Sequence, residues 1–378
     1  MIYQNIIIIG LNKVVNKKPN DKDAKQFLEI IFNFLNKKKI NYCVERNYEK
    51  YPKKITGDVD LIVDKKKIKS VSNQIIKIAK KNGWLLYQKN ITNINSYTSF
   101  VKKNFPNRFV FTLEIYSDAS WKSFNYIDGD KILKEKIRYK NLFKPSAIHE
   151  AIITFFHHYL YNFEVPVKYR KKILKLIFQD TYYFKQFLKK FFFGNLPERI
   201  YENMVNKNWK YFDHNLAKRV RIQIILKNIF FNPFLSLIKI INGIYFRFNR
   251  PQGILIILNG KKNSVKNQIM MNLMNINYKW HICLPPEKKI IDDKNAFTKK
   301  ISKIINSGGF GILNSNREFK NFETLISKYP SYLININKKN LILYLGKKNR
   351  YINIKNNNIK KMSYYIWYNI LIHYSRRK

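Results

Sequence analysis

Apolar residues recur at helical spacing over residues 21–39, where Ala24, Phe27, Leu28, Ile31 and Leu35 form one stripe; this period predicts an amphipathic helix. Asp21 and Asp23 at its start and Lys37 to Lys39 at its end suit the helix dipole. Ile68, Val71, Ile75 and Ile78 repeat the stripe, and Gly83 closes this second helix. Between the helices, "INYCVERN" reads as a strand, followed by the loop "YEKYPKK". "WLLYQ" and "RFVFTLEIY" read as further strands. In the latter, Phe111, Leu113 and Ile115 alternate with Thr112, Glu114 and Tyr116, so the two sets face opposite ways.

One strand breaks the pattern. In "ITGDVDLIVD", Val59, Leu61, Ile62 and Val63 mark a buried strand, yet Asp58 and Asp60 interrupt its start. They share one face, with Cα atoms about 7 Å apart. Carboxylates that close repel, and burying either one unpaired is costly. Something positive must compensate: a metal ion, nearby lysines or plain solvent.

From "KPSAIHEAII" onward the character changes. Leu/Ile/Phe-rich runs at helical spacing continue to about residue 248 with few strand signals, which predicts a helical domain. The segment 230–248 is the most membrane-like, but Asn232, Pro233, Lys239, Asn242 and Arg247 argue against spanning a bilayer. The expectation is a packed helix, with an interfacial helix as the second reading. Arg250-Pro251 marks a new unit, where Ile254 to Leu258 form a purely apolar strand ended by Gly260. "GFGILNS" and "SYLININ" read as further buried strands, as in a parallel α/β sheet. His149, His157 and His158 lack the i, i+4 spacing of a helical metal pair and read as packing residues.

The chain has 378 residues and 46% hydrophobic content, enough for several domains with cores of their own. Its formal charge of +48 suits polyanion binding. However, lysine far outnumbers arginine, and Asn, Ile, Phe and Tyr are abundant while Gly, Ala and Pro are scarce. A- and T-rich codons explain that bias without any nucleic-acid partner. Cys43 and Cys283 are the only cysteines, too few for a disulfide framework or a Cys-based zinc site. "MIYQNIIIIG" lacks a basic leader, so no signal peptide is read there. The expected location is cytoplasmic, with peripheral contact at the inner membrane face.

Glu114 gives the paired aspartates a third partner if its strand lies beside theirs, and such a set can hold Mg²⁺ through hard oxygen ligands. Arg46, Lys53 and Lys54 precede the acids, where they can neutralise a triphosphate. With its preceding helix, "CVERNYEKYPKKITGDVDLIV" resembles the polymerase-β-type nucleotidyltransferase superfamily, nearest to a bacterial branch associated with surface-polysaccharide gene clusters. The resemblance covers roughly residues 20–175, including "DASWKSFNYI", "PSAIHEAIITFFHHYLYN" and "VKYRKKI". It implies that Asp58 and Asp60, after Gly57, bind metal, and that Glu114 completes the set at a position more often aspartate. The superfamily's Gly-Ser is replaced by Arg46-Asn47, which implies a different phosphate grip.

"GILIILNGKKNSVKNQI", with its "RPQG" lead-in, resembles a thymidylate-kinase-like P-loop domain. A working loop reads G-x-x-x-x-G-K-[ST]. Gly260 and Lys266 remain, but Val265 replaces the second glycine and Asn267 the hydroxyl residue, so the loop is degenerate. Asn314 and Ser315 stand where the family's later Asp-Arg is expected.

The sequence therefore predicts an α/β multidomain chain. A small mixed-sheet nucleotidyltransferase-like domain spans 1–143, a helical domain 144–249 and a parallel α/β P-loop-like domain 250–378. The leading functional expectation is Mg²⁺-dependent transfer of a nucleoside monophosphate from an NTP to a small acceptor such as a sugar derivative. Asp58, Asp60 and Glu114 would form the site, and kinase activity is not expected. The alternative is a non-catalytic assembly protein that binds a partner, an anionic membrane or a polyanion. A nucleic-acid-modifying transferase ranks last.

Overall fold

A computed structural model of the chain describes residues 22–248 apart from 54, 56–57, 103–109, 123 and 232, and then 254–259, 264–276, 281–283, 305, 310–315, 331–336, 341–345, 352–354 and 359–375. The first unit comprises α1 (Lys22–Lys37), β1 (Tyr42–Val44), β2 (Val59–Val63), α2 (Ile68–Lys81), β3 (Trp84–Ile91), β4 (Asn95–Lys102) and β5 (Val110–Tyr116). Its sheet runs β1-β2-β5-β4-β3. β2 and β5 pair in parallel and the other pairs are antiparallel, so the sheet is mixed.

Strand alternation sorts the side chains to the two faces. Val59, Leu61 and Val63 of β2 share a core with Phe111, Leu113 and Ile115 of β5 and the apolar stripes of α1 and α2. Cys43 and Ile62, one residue out of phase, belong to a second core on the opposite face. That core is completed by β6 (Ala119–Trp121), β7 (Phe124–Ile127) and α3 (Gly129–Lys134), followed by the hairpin of β8 (Ile137–Tyr139) and β9 (Leu142–Lys144) outside it. It continues without interruption into α4 (Ala147–Asn162), α5 (Val167–Ile177), α6 (Thr181–Phe191), α7 (Leu196–Val205) and α8 (His214–Phe231). The helices expected beyond residue 144 are present, but they share a core with the acid-bearing face of the sheet.

Pro233 opens α9 (Pro233–Phe248), which divides the apolar segment 230–248 between two helices. The expectation of a packed helix fails on its outward side: Phe234, Leu235, Leu237, Ile238, Ile241 and Ile244 are exposed.

The last unit comprises β10 (Ile254–Asn259), α10 (Ser264–Ile276), β11 (His281–Cys283), β12 (Phe310–Ser315), β13 (Ser331–Ile336), β14 (Leu341–Leu345), β15 (Ile352–Ile354) and α11 (Ile359–Ser375). Its sheet runs β11-β12-β10-β13-β14-β15. The first four strands in this order are parallel, as expected. β14 and β15 depart from the expectation and pair antiparallel. Residues 337–340 are too few for a crossover and force a hairpin. α11 packs against β3, and Val101 of β4 joins the core of this unit. The molecule is thus mixed α/β, with a small mixed sheet and many helices.

Candidate acidic site

The acid face is a consequence of register. Parallel pairing places Asp60 directly opposite Glu114, and Asp58 lies two residues before Asp60 on the same face. On the other side of β2, the antiparallel register sets Cys43 opposite Ile62, so Glu45, two residues beyond Cys43, also turns to this face. The Glu45 N–H donates to the carbonyl of Asp60 at 2.9 Å, extending the ladder by one bond. Four acids therefore line one end of the sheet under the helical core.

Arg46 sits among them. Its Nε and Nη2 both approach Asp60 Oδ2, at 3.0 and 2.9 Å, and Nε lies 3.7 Å from Glu45 Oε2. Asp60 is only 5% exposed and Glu45 6%, so these charges meet largely away from water. Burial opposes the charge of Arg46, but Asp60 and Glu45 outweigh it and hold the guanidinium above its ordinary range. Burial pushes Glu45 up to about 7, against the pull of Arg46. Glu114 is driven well above the carboxylate range by burial and by the neighbouring Asp60 and Asp58. Tyr116 donates its hydroxyl proton to Glu114 Oε2.

The approach to the acids is anchored from below. Asn47 adopts a left-handed backbone (φ 59°), and its Oδ1 accepts a bond from the Tyr169 hydroxyl at 3.4 Å. Tyr48, in the adjacent short 3-10 turn, donates to Glu150 Oε2 at 2.5 Å. Glu150 is 1% exposed and also meets Lys172 Nζ at 2.5 Å, while Lys172 binds Glu49 as well. Tyr48, Glu49, Glu150 and Lys172 thus lock the loop that precedes Asp58 onto α4 and α5. Farther along this loop, the Tyr51 hydroxyl donates to the Asp58 carbonyl at 3.4 Å.

The helix α4 covers the same face. His149 and His158 are buried, and His158 stacks on Tyr169 with ring centroids 4.3 Å apart. Burial, then Lys131 for His149 and Arg46 for His158, lowers each to about 4, so both are neutral packing residues. Tyr126 is 1% exposed, and its hydroxyl has no hydrogen-bond partner among the described residues. Burial raises its pKa, and Glu45 raises it further.

The structure brings Asp58, Asp60, Glu114 and Arg46 together. Asn47 lies at the edge of the loop and Lys53 is exposed. Lys54, Gly57 and Gly260 lie outside the described residues. In the last unit Val265 packs against the core, Lys266 is fully buried and Asn267 is exposed. Sequence reasoning missed Glu45, Tyr126 and the Glu150 cluster. Alternation from Cys43 was the available signal for Glu45, and the other residues carry none without the tertiary fold.

The donor chemistry of the acids suits Mg²⁺, a hard cation that prefers carboxylate oxygen. The side chains have not converged on one point: among the described residues, no group of three or more His, Cys, Asp or Glu could hold a metal ion. Arg46 supplies positive charge to Asp60 in this arrangement. Compared with known proteins, the chain matches no family model, no curated protein and no solved structure.

Proposed function

We propose that the chain is an Mg²⁺-dependent nucleotidyltransferase that joins a nucleoside monophosphate to a hydroxyl of a small acceptor. The observation that supports this most is the register of β2 against β5, which sets Asp60 beside Glu114 with Asp58 on the same face. Asp58, Asp60 and Glu114 are the residues that would hold the ion. Bound there, Mg²⁺ neutralises triphosphate charge and polarises reacting oxygens. Arg46 orients Asp60 through both contacts to Oδ2. Glu114, opposite Asp60 on the paired strand, would take the proton of the acceptor hydroxyl as an ionised carboxylate. That oxygen bonds to the α-phosphorus, the α–β anhydride bond breaks, and pyrophosphate leaves. Burial under α4 excludes water that would hydrolyse the NTP instead.

The test is pyrophosphate release from each NTP with a panel of sugar and polyol-phosphate acceptors. Release should require Mg²⁺ and vanish in Asp58→Asn. Transfer that survives Asp58→Asn rejects the assignment. The second reading, a non-catalytic assembly protein, draws support from Arg46 standing on Asp60 and from the burial of Lys266. It predicts no release with any NTP and acceptor, while the folded protein is retained.

A further inference from the structure

The hairpin of α8 and α9 presents an apolar surface that stands exposed among the described residues. Phe230, Phe231 and Phe234 crowd its tip and are 76%, 68% and 75% exposed. Behind them, Ile222, Leu226 and Ile229 of α8 continue the surface, as does the outward side of α9. The buried residues of α8 are Leu216, Ala217, Val220 and Ile224, on its other side. A helix apolar on both sides is ordinarily surrounded by protein or lipid.

The hairpin is rooted firmly. The Asn228 side chain accepts from the Asn125 N–H at 3.2 Å and donates to the Asn125 carbonyl at 2.9 Å, fixing α8 to β7. The Ser236 hydroxyl donates to the Asn228 carbonyl at 2.7 Å, fixing α9 to α8. The phenylalanines therefore project from a fixed scaffold.

Charge identifies what meets this surface. From residue 214 to residue 248 the sequence contains no Asp or Glu, but it has Lys218, Arg219, Arg221, Lys227, Lys239 and Arg247. Lys218 and Arg219 are exposed, and Lys227 lies 5.2 Å from the centre of the Phe231 ring. A symmetric pairing of two copies would set this basic surface against itself, with no acid in it to compensate. An anionic lipid surface offers an apolar interior for the phenylalanines and negative headgroups for the basic residues of α8. Among the described residues, no helix is long and apolar enough to cross a membrane.

We propose that the α8–α9 hairpin docks the protein on anionic membranes, with Phe230, Phe231 and Phe234 entering the headgroup boundary and Lys218, Arg219 and Lys227 of α8 binding lipid phosphates. The docking is independent of nucleotide chemistry.

The experiment is co-sedimentation of the full chain with phosphatidylcholine vesicles, with and without phosphatidylglycerol. Wild type, Phe230→Ser/Phe231→Ser/Phe234→Ser and Lys218→Gln/Arg219→Gln are compared. Light scattering and a thermal melt accompany each. Wild type should bind only the anionic vesicles. The Phe variant should keep its melting temperature and bind at least about tenfold more weakly, since binding follows the apolar area buried. The Lys/Arg variant should lose about fivefold per charge removed. Binding left unchanged by the Phe variant would overturn the proposal and assign attraction to bulk charge. A wild-type oligomer that ignores vesicles and dissociates in the Phe variant would also overturn it, and would assign the surface to a second copy.

Discussion

At the scale of single residues, Arg46 decides how the acid face survives folding. It bonds Asp60 and lies beside Glu45, both mostly buried, so its removal takes a cation away from two buried carboxylates. Arg46→Gln should destabilise the protein by roughly 3 kcal/mol, as breaking a buried ion pair does. The loss, followed by denaturant titration, should be larger above neutral pH than in mild acid, where protonation removes the repulsion. Tyr126 poses the opposite case. A buried hydroxyl without a partner is a cost, so Tyr126→Phe should hold or raise stability by up to about 1 kcal/mol. A lower melting temperature in that variant would mean that the hydroxyl has a partner.

The elements explain which parts of the site could be read in advance. β2 and β5 announce themselves because Val59, Leu61 and Val63, like Phe111, Leu113 and Ile115, alternate with residues of the other face. Asp58, Asp60 and Glu114 were legible for the same reason. β4 was not, because its buried Ser96, Thr98 and Ser99 look like loop residues in the sequence. Alternation from Cys43 gives Glu45 its face, but its place beside Asp60 follows from the β1–β2 register. The antiparallel β14 and β15 look like any apolar strand, and their direction follows from a short connection. Gly129, at the start of α3, is fixed by a close approach: a Cβ there would meet the Ser117 carbonyl oxygen at 1.7 Å. Gly129→Ala should therefore cost about 1–3 kcal/mol in a thermal or chemical melt, the usual range for overpacking. The histidines of α4 set a pH limit. His149 and His158 fall to about 4 in the fold, from an ordinary value near 6.5, so between these values the unfolded chain binds more protons. Stability contributed by these groups is present above about pH 6.5 and is lost as pH falls toward 4. NMR titration should find both imidazoles titrating near 4 in the folded protein, and midpoints near 6.5 would contradict their burial.

For the whole molecule, the two α/β units stand in different conditions. In the first, the acids and Arg46 line one end of a sheet covered by α4. In the last, Lys266 is buried rather than presented, and Val265 packs against the core. The central claim therefore rests on the first unit. Calorimetric titration of Mg²⁺ and each NTP into wild type, Asp58→Asn/Asp60→Asn and Lys266→Ala tests it most directly. Mg²⁺-dependent NTP binding is expected in wild type and Lys266→Ala, with its loss in the double aspartate variant. Binding that persists in Asp58→Asn/Asp60→Asn and disappears in Lys266→Ala would contradict it.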